Sequence, residues 1–238
     1  TEITAGENVQ FTNLSIGNPV SFSWHLEGGT PSQSSEPNPN ITYNEEGTFD
    51  VSLMVSDGNG TSTLTRQDFI TVTPAITTQT ILVDQGWSGI SSCLIPENTS
   101  FNQILGLNLQ NVVLIQTMTG VYYPDFQVNT LGDWDYQSGY MIKAEAPFNL
   151  EVSGTEPTDR QITLEPGWNL MPVLSPCNVT INEIFGLYLN KVQVIKSIAG
   201  TGVYWPDFNI NTLGMIEPGK AYFVNVSEQI TITFPVCE

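Results

Sequence analysis

A chain of 238 residues with 24 acidic side chains, six basic ones and one histidine carries a net charge of −18. That balance excludes nucleic-acid partners, which need lysine and arginine to displace counterions, and disfavours anionic membranes and polysaccharides unless a cation bridges. Residues 1–74 hold nine acids against one base and residues 75–238 fifteen against five, so the acidity belongs to the whole chain and not to a tail.

Residues 1–74 read as an all-β domain. Val9-Gln10-Phe11, Val20-Ser21-Phe22-Ser23-Trp24, Phe49 to Val55 and Phe69-Ile70-Thr71-Val72 are short runs rich in β-branched and aromatic residues. Turn clusters separate them: Gly28-Gly29-Thr30-Pro31, Glu36-Pro37-Asn38-Pro39 and Asp57-Gly58-Asn59-Gly60. From 49 to 55 the pattern alternates strictly, with Phe49, Val51, Leu53 and Val55 on one face, as one sheet of a sandwich requires. Asp57 to Gly60 is a hairpin turn before it is a calcium loop. His25, the lone histidine, is expected on a half-exposed strand position.

The stretch from Ser23-Trp24-His25-Leu26-Glu27-Gly28-Gly29-Thr30-Pro31 through Tyr43 and Gly47 to Val55, closed by Ile70-Thr71-Val72, resembles a PKD domain. This is the immunoglobulin-like sandwich named for the polycystic kidney disease protein. His25 and Glu27-Gly28-Gly29 depart from the usual W-D-F-G-D-G phrase. The resemblance covers about 70 residues and implies a spacer or accessory module of extracellular proteins, with no catalytic residues.

After a polar link, Thr73 to Gln79, the chain is written twice. Val121-Tyr122-Tyr123-Pro124-Asp125-Phe126-Gln127-Val128-Asn129-Thr130-Leu131-Gly132 returns as Val203-Tyr204-Trp205-Pro206-Asp207-Phe208-Asn209-Ile210-Asn211-Thr212-Leu213-Gly214, with nine of twelve positions identical. Gly86-Trp87 answers to Gly167-Trp168 and Tyr140 to Tyr222, at offsets of 81 and 82 residues. A period near 80 exceeds the roughly 20 to 50 residues of solenoid units, so two small domains or two pseudo-symmetric halves are expected, over 80–156 and 157–238. Each opens with a strand (Ile81-Leu82-Val83, Ile162-Thr163-Leu164). A helix of one to two turns follows, started by a capping box (Ser100 with Gln103, Thr180 with Glu183) and stopped by a left-handed glycine (Gly106, Gly186). Strands over 112–115 and 192–195, 140–143 and 222–225, 150–152 and 230–232 complete each copy. The fold class is therefore mainly β: a sandwich, then two homologous β-rich domains with one short helix each. Gly167-Trp168-Asn169-Leu170, the capped helix and the late tyrosine strand also resemble the tandem "GWN" repeats of large bacterial secreted and surface proteins.

No apolar run reaches the 18 or so residues of a membrane span. The start at Thr1-Glu2, without a signal peptide or initiator methionine, reads as a processed or excised fragment of a larger extracellular or cell-surface protein. Of three cysteines, Cys177 and Cys237 bracket the second copy and could form a disulfide, leaving Cys93 as a buried thiol; three reduced thiols fit the spacing equally. With one histidine and no C-x-x-C, zinc is not expected. No D-x-[DN]-x-[DN]-G loop is present, and no cofactor is expected, calcium being the one ion for which the acidic loops leave room. Nucleophilic triads, P-loops and dinucleotide fingerprints are missing. Paired carboxylates, Asp125 and Asp207, keep a glycoside hydrolase open as a minor reading.

The aromatics carry the stronger signal. Trp87/Trp168, Phe126/Phe208 and Tyr140/Tyr222 recur beside apolar strands and are expected in the core. Tyr122, Tyr123, Trp134, Tyr136, Tyr204 and Trp205 lie around polar loops with Asp125 and Asp207. Such rings suit stacking on the C–H faces of a sugar, with Tyr123, Trp134 and Trp205 expected to face solvent. Their alternative role is to seal the joint between the copies. The sequence thus points to a non-catalytic module for adhesion or binding of a neutral polysaccharide, with a structural stalk or sorting segment as the alternative.

Overall fold

In the computed structural model, which describes residues 1–237, the β-branched runs form strands and the Gly/Pro/Asn clusters their turns. Glu238, the last residue of the expected third domain, lies outside the described residues. The chain divides into two compact units, Thr1–Ala75 and Ile76–Glu238.

The first unit is a sandwich. A five-stranded sheet runs Glu2–Thr4, Thr61–Thr73, Gly47–Ser56, Ser21–Leu26 and Gln33–Ser34; a three-stranded one runs Asn8–Gln10, Asn40–Tyr43 and Gly29–Thr30. Leu26, Ile41, Tyr43 and Ile70 are fully enclosed between them, with Phe11, Trp24, Val51 and Val72 packed around. A register shift between Phe49 and Val51 interrupts the pairing with Thr61–Thr73. Asp57 Oδ1 accepts from the Asn59 and Gly60 N–H groups at 2.9 Å each, so its carboxylate is spent on the turn. His25 is exposed.

In the second unit two five-stranded sheets have the same order. One runs Gly86–Ile90, Tyr140–Ala144, Val112–Gln116, Val121–Tyr123, Val128–Asn129; the other Gly167–Met171, Tyr222–Val226, Val192–Ser197, Val203–Trp205, Ile210–Asn211. Even the register shift recurs, between Val112 and Leu114 and between Val192 and Val194. Each sheet closes over its own core against a second layer, Thr77–Val83 with Phe148–Thr155 or Gln161–Leu164 with Ile230–Thr233. The first of these strands begins at Thr77, inside the stretch read as a link.

The helices are the expected five-residue pieces, Phe101–Leu105 and Ile181–Phe185, but their caps differ. Thr180 and Glu183 form the full capping box, whereas the Ser100 side chain makes no cap bond. Asn98 takes over there: its Oδ1 accepts from the Ser100 N–H at 3.0 Å. A 3-10 turn continues each helix, Gly106–Asn111 and Gly186–Tyr188, but Gly106 has φ +49° whereas Gly186 stays right-handed.

The two halves meet through equivalent residues. A Cβ on Gly89 would lie 2.5 Å from the Ala221 carbonyl oxygen, and one on Gly139 would lie 2.9 Å from that of Leu170 and 3.1 Å from the Ala221 Cβ. Gly89 corresponds to Leu170 and Gly139 to Ala221, so each half offers the same pair of positions to the other, as in a two-fold interface. Ser91, fully buried, ties the joint: its Oγ donates to the Lys220 carbonyl at 2.6 Å and accepts from the Val173 N–H at 2.9 Å. Cys177 and Cys237 are disulfide-bonded, with Cα atoms 6.0 Å apart, and Cys93 is a buried free thiol.

Candidate functional site

The repeated twelve-residue phrase builds a hairpin that displays aromatic rings. Tyr123 and Trp205 end a strand; Pro124 and Pro206, with φ preset by the ring, open a single 3-10 turn. Gln127 and Asn209 leave it at φ +53°, turning the chain back into a two-residue strand. The return is held by identical polar residues. Asn129 Oδ1 accepts from the Leu131 and Gly132 N–H groups, and Thr130 Oγ1 from that of Val121 at 2.9 Å. In the second copy Asn211 Oδ1 accepts from Gly214 and Thr212 Oγ1 from Val203. This geometry turns Phe126 and Phe208 outward, 68% and 63% exposed, each packed edge-on or tilted against the preceding ring. Tyr123 and Phe126 centroids are 4.6 Å apart, and those of Trp205 and Phe208 4.5 Å.

Strand alternation places a tryptophan at the opposite edge of each sheet. Ser88 and Ile90 point into the core, so Trp87 points out; Trp168 does likewise beside buried Met171. Across the first sheet Trp87 pairs with Lys143 and Lys143 with Leu114, while Tyr123 pairs with Val128 at the far edge. Across the second the row is Trp168, Asn225 and Val194, then Trp205 and Ile210. Five strands make each such surface roughly 20 Å wide. Lysines flank the rings: Lys143 Nζ is 6.0 Å from the Trp87 ring centre, and Lys196 Nζ 5.3 Å from that of Trp168 and 5.1 Å from that of Phe223.

Several expectations are corrected. Trp87, Trp168, Phe126 and Phe208 are not core residues, because the pleat and the 3-10 turn aim them away from it. Trp134, expected to face solvent, is 2% exposed and packs on Phe101 and Tyr140 at 5.7 and 4.7 Å. Tyr122 is buried, its hydroxyl donating to Asn102 Oδ1 at 2.6 Å; Tyr204 is its half-buried counterpart. Tyr136 belongs to the first half but packs on the core of the second, so it seals the joint. Trp205 is exposed, Tyr123 half-exposed, and Asp125 and Asp207 are exposed in their turns. Tyr140 and Tyr222 are core as expected, and their hydroxyls accept from the N–H groups of Asp135 (2.7 Å) and Glu217 (3.0 Å). Burial pushes both phenols up to about 12. Alternation was the available signal for Trp87 and Trp168: with Ile90 inward, residue 87 cannot be.

Among the described residues no group of three or more His, Cys, Asp or Glu side chains is placed to hold a metal ion. Nor, among the described residues, is any helix long and apolar enough to cross a membrane.

No curated protein matches the chain. It is similar to a solved structure described as "Structural basis for the promiscuous specificity of the carbohydrate-binding modules from the beta-sandwich super family", aligned over 97% of this chain and 90% of that one at 14% identity and TM-score 0.27. The family model of the PKD domain matches residues 1–67. The chain is thus mainly β, with a PKD immunoglobulin-like sandwich at its N-terminal end.

Proposed function

We propose that the second unit is a non-catalytic module that binds a neutral polysaccharide, or a surface glycan in adhesion, through the outward faces of its two five-stranded sheets. The PKD sandwich is the accessory spacer, and the whole belongs to a larger secreted or surface protein. One observation carries the reading: Trp87, Trp168, Trp205, Phe126 and Phe208 stand exposed at equivalent places on both sheets. Large rings left in water, beside exposed Val128 and Ile210, mark an interaction surface. Their row spacing suits an extended chain of sugar rings, and the flanking lysines supply hydroxyl donors. Stacking contributes about 1 kcal/mol per ring, so affinity builds from several rings. A charge of −18 favours a neutral polymer.

Affinity electrophoresis through gels containing neutral polysaccharides tests this. Trp168→Ala, Trp205→Ala and Phe208→Ala should each weaken retention severalfold while shifting Tm little, since the rings are exposed. Retention of the wild type should not change with added salt. If no neutral polysaccharide retards the wild-type chain, the module is a stalk.

A further inference from the structure

A cleft of about 280 Å³ lies at the joint between the two halves, lined by Asp84, Trp87, Gly89, Ile198, Glu217 and Lys220 together with residues 199–202. Three departures from the otherwise shared pattern meet there. Gly89 stands where the other half has Leu170, and the Ile198 side chain and the Ala221 carbonyl pack directly against it to form the floor. The hairpin loop from Ser197 to Gly202 has six residues where its counterpart, Thr117 to Gly120, has four. Ala199 in that loop sits at φ +57°, a conformation costly for a residue with a Cβ and concentrated at binding sites. The third departure is Lys220, which bonds Glu217 at 2.8 Å where the equivalent Ser138 bonds Asp135 at 2.9 Å. The same local contact has become an ion pair at the mouth of the cleft.

We propose that this cleft binds a single neutral sugar ring, such as the terminal unit of a glycan whose body lies on the sheet surface. This rests on the glycan reading above and extends it. The Trp87 ring would take the C–H face of the sugar, the Asp84 and Glu217 carboxylates accept from its hydroxyls, and the Lys220 ammonium donates. At about 280 Å³ the cleft lies just below the roughly 300–1,000 Å³ of ligand pockets, a size for one ring and not for a chain. Trp87 belongs to both the cleft and the first sheet surface, which makes the two continuous.

Heteronuclear NMR of the full chain, titrated with a panel of neutral mono- and disaccharides, tests the proposal. The Trp87 indole N–H resonance should shift, and Asp84→Asn and Lys220→Ala should each weaken the affinity for short sugars about tenfold. Both sites are at the surface, and an unchanged amide spectrum verifies the fold. Suppose a polymer retains the chain through Trp168 and Trp205, yet no short sugar moves Trp87, or both cleft variants bind short sugars like the wild type. The cleft proposal then falls while the sheet surfaces stand. If neither polymer nor short sugar binds, both readings fall.

Discussion

Trp134 shows how a single residue can mislead and what its burial implies. It has no counterpart ring in the second half, but the same 82-residue offset that pairs Tyr140 with Tyr222 pairs it with Ile216, which is also fully buried. The copies therefore differ there by a repacked core: Phe101 and Trp134 in one, Ile181 and Ile216 in the other. Its indole Nε1 has no hydrogen-bond partner, and an unmade bond of that kind costs about 1–3 kcal/mol. Trp134→Phe removes the orphaned donor along with some volume, so the two effects oppose and the net change in stability should stay within about 1 kcal/mol. Trp134→Ala leaves a cavity beside Phe101 and Tyr140 and should cost about 3–5 kcal/mol. Urea unfolding of both variants measures the difference. Equal large losses would mean that the Nε1–H is satisfied in solution.

At the scale of elements, Ser91 supplies hydrogen bonds across the joint. Ser91→Ala leaves the Val173 N–H and the Lys220 carbonyl unpaired between the halves, at about 1–3 kcal/mol for each group. Denaturant unfolding should show a loss of that order, and a change under 1 kcal/mol would mean that water replaces the hydroxyl. Nothing in the sequence marked Ser91, because its partners lie 82 and 129 residues away. Strand positions, the short helices and the matching order of the two halves were legible, since they follow from local alternation, turn residues and a long internal repeat. The Thr180–Glu183 cap was legible too, but the Ser100–Gln103 box was not, as Asn98 Oδ1 takes the Ser100 N–H that the Gln103 side chain would have bonded. Of the rings expected to face solvent, Trp205 is exposed, Tyr123 half-exposed and Trp134 buried. The phenylalanines of the Pro-Asp-Phe turns were not legible as outward, because apolar character outweighed a turn geometry that aims them into solvent. Of the residues shared by both copies, Asn129, Thr130, Asn211 and Thr212 hold the hairpins, whereas Trp87, Trp168, Phe126 and Phe208 are turned outward.

Across the whole molecule the six basic residues are all engaged: Arg160, Lys191 and Lys220 with carboxylates, Arg66, Lys143 and Lys196 over rings. The surplus negative charge thus meets little internal compensation, and a rise in pH adds to it. Three tyrosines are the most deeply enclosed, Tyr43 in the sandwich and Tyr140 and Tyr222 in the two halves of the second unit, with Tyr122 beside Tyr140 in the first half. Burial pushes all three phenols up to about 12 from the ordinary 10. Unfolded, they ionise near 10; folded, they keep their protons to about 12. Between those values the unfolded chain binds fewer protons, so stability falls as pH rises. The contribution is whole below about pH 10 and is lost progressively through 12. Spectrophotometric titration of the eight tyrosines should therefore be biphasic. The less enclosed phenols ionise first, and Tyr43, Tyr140 and Tyr222 follow together with a cooperative loss of β-sheet circular dichroism. Tyr222→Phe should remove one phenol from the second phase and destabilise the chain even at neutral pH, because the Glu217 N–H loses its acceptor. A single titration of all eight near pH 10 with the fold intact would show that these rings are open to hydroxide and that the cores are looser than their burial indicates.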